Sequence, residues 1–387
     1  MNNGACDIEN SIITKVCVIA FSNFSLSIDG SKYRIAKSLV DAGYDVTVLA
    51  IKDAKTKSRE IIDGIKVSRI DGRNRPIKFL KFLFSALKQK PDIYHSFDLK
   101  TLPLAYFVSR INRSKLIYDS RELYVESMRD EELPKVYKRI MTSVERFLIK
   151  RVDGIIVVSD ARADILVKRY GIKRPTVIFN CAPYKEYRRT TIIRDLLNIK
   201  DDKRIVLYQG IISRGRGLEN LVSAARYLDD AVVVLIGDGN LKGELIRKVK
   251  EEDLEEKVKF IDAVPYEELL DYTMSADLGV HPIQNTCLNH YYCAPNKLFE
   301  YLMAGLPVAV SNFPDMRRIV ENEGVGETFD PEDPKDIARV INNILNDEEK
   351  YNIMSGNALK IAKERYNWEM ESRKMLEVYE RARTAKT

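Results

Sequence analysis

The chain has 387 residues, 45% of them apolar and 31% charged, with a formal net charge of +6. That suits a globular protein of about two domains at roughly 150 residues each. No apolar run approaches the roughly 18 residues that span a bilayer, and the first residues, MNNGACDIENS, lack the basic and apolar regions of a signal peptide, so a cytoplasmic protein is expected. Five scattered cysteines without CxxC spacing and three histidines argue against a disulfide framework or a zinc cluster, and no metal site is expected.

The net charge hides an asymmetry. Residues 1–190 hold 36 Lys and Arg against 22 Asp and Glu, whereas residues 191–387 hold 27 against 35. A basic half suits an anionic membrane surface, a lipid phosphate or nucleic acid. The chain shows no helix-turn-helix, RNP or zinc-finger pattern, which argues against nucleic acid.

In chain order, KVCVIAF (15–21) reads as a buried strand. A loop with Asp29 and Gly30 follows, then a helix from about Lys32 to Ala42 and the strand DVTVLAI, which completes a βαβ unit. The pattern recurs with a helix near 76–89, the strand DIYHSFD, a helix near 102–111, LIYDSRE, a helix around 135–150, GIIVVSD and a last strand TVIFN. Continuous apolar strands alternating with helices predict a parallel sheet covered on both faces. The polar stretch 182–203 reads as a linker, after which RIVLYQG, AVVVLIGDG, KVKFID, DLGVHPI and PVAVS alternate with helices as a second such domain. The fold class expected is α/β, with two Rossmann-like, doubly wound domains facing across a cleft. The first covers 1–190 and the second 191–366, with a closing helix in 367–387.

Within the second half, APNKLFEYLMAGLPVAVS (294–311) reads as a turn, a short helix and a buried strand around one acid. Pro295 pre-sets φ for the first helical turn, and Gly305 with Pro307 ends the helix. Glu300 sits among the apolar residues Leu298, Phe299, Leu302 and Met303, so it needs a polar partner. The helix start at Ala294, Pro295, Asn296 and Lys297 offers N–H groups, a positive dipole end and a lysine, which suit a phosphate. An acid able to accept from a sugar diol beside an anion site points to a nucleotide. The plain alternative is a capped helix with a surface glutamate.

Gly210 opens GIISRGRGLENL, in which two glycines bracket Arg216 before a helix; backbone and guanidinium there suit an anion, or else form a solvated turn. GDGNLKG has the spacing GxGxxxG, not the dinucleotide fingerprint, and reads as a strand-to-helix turn. In the first half, His95 and Asp98 close one strand while Asp119, Arg121 and Glu122 close the next, where active sites of such sheets form. Arg121 is a candidate for stabilising a departing phosphate. RPIKFLKFLFSALKQK (75–90) places Ile77, Leu80, Phe84 and Leu87 at near-helical spacing among lysines; it either lies on a membrane surface or packs that stripe on the sheet.

Taken with DGSKYRIAKSLVDAGYDVTVLA, KLIYDSRELYVES and YNWEMESRKMLEVYE, these segments resemble the retaining, nucleotide-sugar-dependent glycosyltransferases of family four, of the GT-B fold, over nearly the whole chain. The resemblance implies a donor site in the second domain, an acceptor site in the first and a final helix that crosses back to the first. It assigns Glu300 to the ribose hydroxyls and Arg216 to the donor diphosphate. Ala294, Pro295 and Asn296 would pack on its phosphate and sugar, Gly30 would be the close-approach glycine of the first domain's loop, and Val264 would sit in the loop that contacts the base. Three positions depart from the family. Tyr292 stands where its first acid lies, Ile211 where many relatives carry a second arginine, and Arg121 where histidine is frequent.

The function these features imply is a metal-independent, retaining hexosyltransferase moving a sugar from a nucleoside diphosphate sugar to a hydroxyl of a lipid-linked or polysaccharide acceptor. Arg216, Lys297 and Arg121 are its catalytic candidates, and His95 and Asp98 its acceptor-side candidates. No cofactor beyond that co-substrate is expected. The partners are the nucleotide sugar, the acceptor and an anionic membrane surface at the inner face. The alternative is a donor-binding partner or sensor protein that has lost catalysis.

Overall fold

The structure, a computed structural model, describes residues 13–24, 30–54, 56–72, 75–123 and 134–385. One sheet has eight strands: β1 (Lys15–Ile19), β2 (Asp45–Ile51), β3 (Arg59–Ile62), β4 (Ile65–Ile70), β5 (Ile93–Phe97), β6 (Lys115–Ser120), β7 (Gly154–Val157) and β8 (Thr176–Val177), in the order β3-β4-β2-β1-β5-β6-β7-β8. β3 runs antiparallel to β4; the pairs β4–β2, β2–β1, β1–β5, β5–β6 and β7–β8 are parallel. Its helices are α1 (Gly30–Asp41), α2 (Arg75–Gln89), α3 (Asp98–Asn112), α4 (Lys135–Leu148) and α5 (Asp160–Tyr170).

The second sheet is all parallel: β9 (Arg204–Gln209), β10 (Ala231–Ile236), β11 (Val258–Ile261), β12 (Leu278–His281), β13 (Val308–Ser311) and β14 (Gly326–Phe329), in the order β11-β10-β9-β12-β13-β14. α6 (Ile192–Leu197) precedes it, and between its strands run α7 (Leu218–Ala224), α8 (Lys242–Glu251), α9 (Tyr266–Thr273), α10 (Leu288–Tyr291), α11 (Asn296–Met303) and α12 (Pro314–Glu323). α13 (Pro334–Leu345), α14 (Glu348–Glu364) and α15 (Trp368–Thr384) follow. Alternate residues of β9 feed opposite cores, Ile205 and Leu207 one face, Val206 and Tyr208 the other. The period of two thereby fixes which way Gln209 points: with Ile205 and Leu207, toward the face where α11 packs. The strand order reverses between β9 and β12, the switch point where such sheets bind ligands beyond their carboxyl ends.

By its internal contacts the chain divides into two units, residues 1–120, 143–155 and 376–387 in one, 121–142 and 156–375 in the other. This division departs from the sequence boundaries at 190 and 367, because α5, β8 and the first turns of α15 make their contacts within the second unit. The segment read as a linker contains α6. The first sheet also carries the unforeseen hairpin β3–β4, whose two-residue turn is Asp63-Gly64, both at positive φ, the signature of a tight hairpin turn. Asp29 lies outside the described residues.

Candidate active site

The site grows from the carboxyl end of β9. Gln209 is buried, and its side-chain Nε2 donates to Glu300 Oε2 at 2.6 Å, while Thr273 Oγ1 donates to its Oε1 at 2.8 Å. Its backbone N–H donates to Tyr301 Oη at 3.2 Å. The partner that Glu300 requires is therefore a carboxamide 91 residues away, and the acid is half-buried rather than a surface residue. Glu300 and Gln209 line a cavity of about 360 Å³ with Pro183, Tyr184, Tyr266 and Leu270 among its walls. The wall at 182–185 is tied to the start of α15: Trp368 N–H donates to Ala182 O and Tyr184 N–H to Glu369 Oε2.

One residue past Gln209, Gly210 has φ +123, and a Cβ there would stand 3.2 Å from Lys297 Nζ. The loop after β9 thus lies against the first turn of α11. Lys297 Nζ caps the ring of Tyr208 at 3.7 Å from its centroid. Among the described residues no carboxylate pairs with Lys297 or with Arg216. Burial pushes the Lys297 ammonium well below its usual range; Arg216 pushes it the same way, and Glu300 opposes both. The same two cations add to burial in holding His281, the last residue of β12, neutral. Among the described residues, neither buried ring nitrogen of His281 has a hydrogen-bond partner. Two cations beside a helix N-terminus whose N-cap, Pro295, offers no side-chain acceptor are an arrangement of the kind that suits an anion. Pro295 itself is extended (φ −73°, ψ 143°) and precedes the helix rather than opening it.

The other donor-side candidates divide. Ala294 is half-buried against the core and Asn296 is the exposed first residue of α11. Val264 packs on the same core and is not among the cavity-lining residues, where Tyr266 stands instead. Tyr292 offers its carbonyl to Arg162 Nε at 3.3 Å, and Arg162 Nη2 donates to Asn289 Oδ1 at 2.6 Å, which braces the turn before α11. Ile211 is exposed.

In the first unit two expectations are corrected. Gly30 is the first residue of α1 rather than a loop glycine, and its φ is not in the left-handed range. His95 is fully buried, with Tyr379 Oη 2.6 Å from Nδ1 and Asp119 Oδ2 3.5 Å from Nε2, so it is a core group and not an exposed acceptor contact. Asp98, half-buried at the start of α3, holds φ +61, a strained value for a non-glycine residue. Arg121 follows β6 and groups with the second unit, away from the membership of His95 and Asp98. The reading from sequence missed Gln209, Thr273 and His281. Gln209 and His281 are polar residues closing buried strands, the same signal that drew attention to His95.

Residues 189–361 match the family described as Glycosyl transferases group 1, and residues 32–183 that described as Glycosyltransferase Family 4. Among similar proteins is MJ1607 of Methanocaldococcus jannaschii, described as an uncharacterized glycosyltransferase, 24% identical over 89% of this chain and 92% of that one. A second relative is the N-acetylgalactosamine-N,N'-diacetylbacillosaminyl-diphospho-undecaprenol 4-alpha-N-acetylgalactosaminyltransferase of Campylobacter jejuni, 26% identical over 50% of this chain and 54% of that one. Among solved structures, Anabaena HepE in complex with UDP and glucose superimposes with a TM-score of 0.74 at 18% identity, over 95% of this chain and 99% of that one. On its two family matches and its GT-B fold, the chain belongs to the family-four glycosyltransferases.

Proposed function

We propose that the protein is a retaining, metal-independent hexosyltransferase that takes its sugar from a nucleoside diphosphate sugar. The observation that carries this reading is the carboxylate of Glu300, held by Gln209 at a cavity, next to Arg216 and Lys297, two cations that form an ion pair with no carboxylate among the described residues. A ribose diol donates to Glu300, the base enters the cavity between Tyr184 and Tyr266, and the diphosphate meets Arg216, Lys297 and the amino end of α11. In transfer the bond between the sugar C1 and the phosphate oxygen breaks, and these groups take up the charge on the departing oxygen. The acceptor oxygen bonds to C1 from the same face while its proton passes to a departing phosphate oxygen. Family-four membership supports retention, and fixed cations at the diphosphate support chemistry without a metal. The acceptor is a lipid-linked or polysaccharide hydroxyl; the lipid diphosphate named for the Campylobacter relative supports the former. Mixing the purified protein with UDP- and GDP-sugars and following donor hydrolysis and transfer tests the reading. Tyr292, where the family has an acid, favours the second reading of a donor-binding protein without catalysis, and transfer to any acceptor eliminates it.

We further propose that α2 lies on an anionic membrane surface. Of the stripe Ile77, Leu80, Phe84 and Leu87, whose inward packing was one alternative, the first three are 51%, 49% and 67% exposed and Leu87 is half-buried, while Phe82 and Ala86 face the core. Residues 72–91 carry six Lys and Arg and no acid. An apolar stripe among cations suits insertion at lipid headgroups. Among the described residues no helix is long and apolar enough to cross a membrane.

A further inference from the structure

We propose that Gln209, braced by Thr273, is a positioning residue that sets the enzyme's preference for ribose over deoxyribose in its donor; this rests on the assignment of Glu300 to the ribose. The carboxamide has one donating and one accepting end, and the structure leaves it a single useful orientation. Reversed, Oε1 would face Glu300 Oε2 at 2.6 Å, two acceptors in contact. In the orientation adopted, Nε2 donates to the carboxylate and Oε1 receives the Thr273 hydroxyl, whose proton is shared with Leu269 O, also at 2.8 Å. Gln209 is only 1% exposed and its backbone N–H is fixed on Tyr301, the neighbour of Glu300, so the end of β9 grips two successive residues of α11.

The choice of a neutral donor matters. A lysine or arginine at this position would neutralise Glu300, occupy both of its oxygens and compete with an incoming diol. A carboxamide uses one lone pair of about four on a carboxylate and leaves its charge in place, while preventing the side chain from rotating away. Hydroxyl recognition by a buried polar group discriminates strongly only when that group is held in place before the ligand arrives. Gln209 supplies that restraint, and Thr273 anchors the far end of its carboxamide.

The test is calorimetric titration of wild type, Gln209→Leu and Thr273→Val with UDP-glucose and GDP-mannose and with the 2′-deoxyribonucleotide counterpart of each. Wild type is expected to bind the ribose donor at least ~10-fold more tightly than its deoxy counterpart. Gln209→Leu should shrink that ratio by about fivefold or more, almost wholly through weaker binding of the ribose donor, and Thr273→Val should shrink it less and in the same direction. Equal weakening of both donors, or no weakening of either, overturns the positioning role while leaving the ribose assignment standing. Absence of discrimination in wild type overturns the ribose assignment and the positioning role with it. Should Gln209→Leu melt below the assay temperature, the ratio measured for Thr273→Val decides.

Discussion

Lys297 Nζ rests 3.7 Å from the ring centroid of Tyr208, and among the described residues it has no carboxylate to pair with. A cation held on an aromatic face keeps part of its stabilisation without spending its charge on a fixed partner. It is therefore available to an arriving anion, and it is uncomfortable until one arrives.

The first prediction follows from that discomfort. Burial and Arg216 lower the affinity of Lys297 for its proton in the free protein, and a bound diphosphate raises it again. Binding of a nucleotide sugar must then take up protons wherever Lys297 is partly neutral in the free protein. Titrations in two buffers of different ionisation enthalpy should show uptake, and affinity should fall as pH rises from the free toward the bound pKa of Lys297. Lys297→Met should abolish both effects.

The same substitution separates stability from activity. Removing a half-buried ammonium that forms an ion pair with no carboxylate among the described residues should raise the melting stability of the ligand-free protein by about 1 kcal/mol while donor turnover is lost. A base with a lowered folded pKa costs stability fully when protonated in both states, and the cost fades as pH rises toward its unfolded value. The advantage of Lys297→Met should accordingly be largest at low pH and shrink on the alkaline side.

Gly237 predicts a long-range effect. Its φ is +146°, and a Cβ there would stand 1.9 Å from the carbonyl oxygen of Gly210. Gly237→Ala must push the loop after β9 away from its place against Lys297, and should destabilise the protein by more than ~1 kcal/mol while weakening nucleotide-sugar binding. Denaturant unfolding and calorimetry measure the two losses.

In the first unit, Tyr379→Phe should cost about 1–3 kcal/mol in denaturant unfolding, because it removes a buried partner from His95 Nδ1. Donor affinity, which the proposed site places in the second unit, should stay within twofold of wild type, a bound of about 0.4 kcal/mol.

On the surface, changing Lys78, Lys81 and Lys88 together to Glu should release the protein from vesicles containing anionic lipid. Each cation near such a surface is worth about 1 kcal/mol. Hydrolysis of the donor in solution should be unaffected. Co-sedimentation with anionic and neutral vesicles reads the difference.

The parallel sheets were legible because runs such as AVVVLI are buried on both faces, a pattern that period and composition carry by themselves. Glu300 was legible because a charge within an apolar helix requires an explanation. The hairpin at Asp63-Gly64 was also written in the sequence, as an aspartate-glycine pair, but the flanking residues Arg59–Ile62 and Ile65–Ile70 alternate only weakly and did not attract a strand assignment. Gln209 and Thr273 were beyond reach for a different reason. Their roles depend on contacts between residues 91 and 64 positions apart, which only the packing of α9 and α11 against the end of β9 brings together. His95 showed the converse: a polar residue at a strand end reads as functional until Tyr379, 284 residues later, is found on its nitrogen.

The most direct test is the dissociation constant of UDP-glucose and GDP-mannose for wild type and Glu300→Ala. Two hydroxyl contacts to a charged group should be worth about 3 kcal/mol, so affinity for the donor that binds should fall on the order of 100-fold, with transfer falling alongside. Equal affinity and equal turnover in the two proteins would contradict the placement of the donor at Glu300.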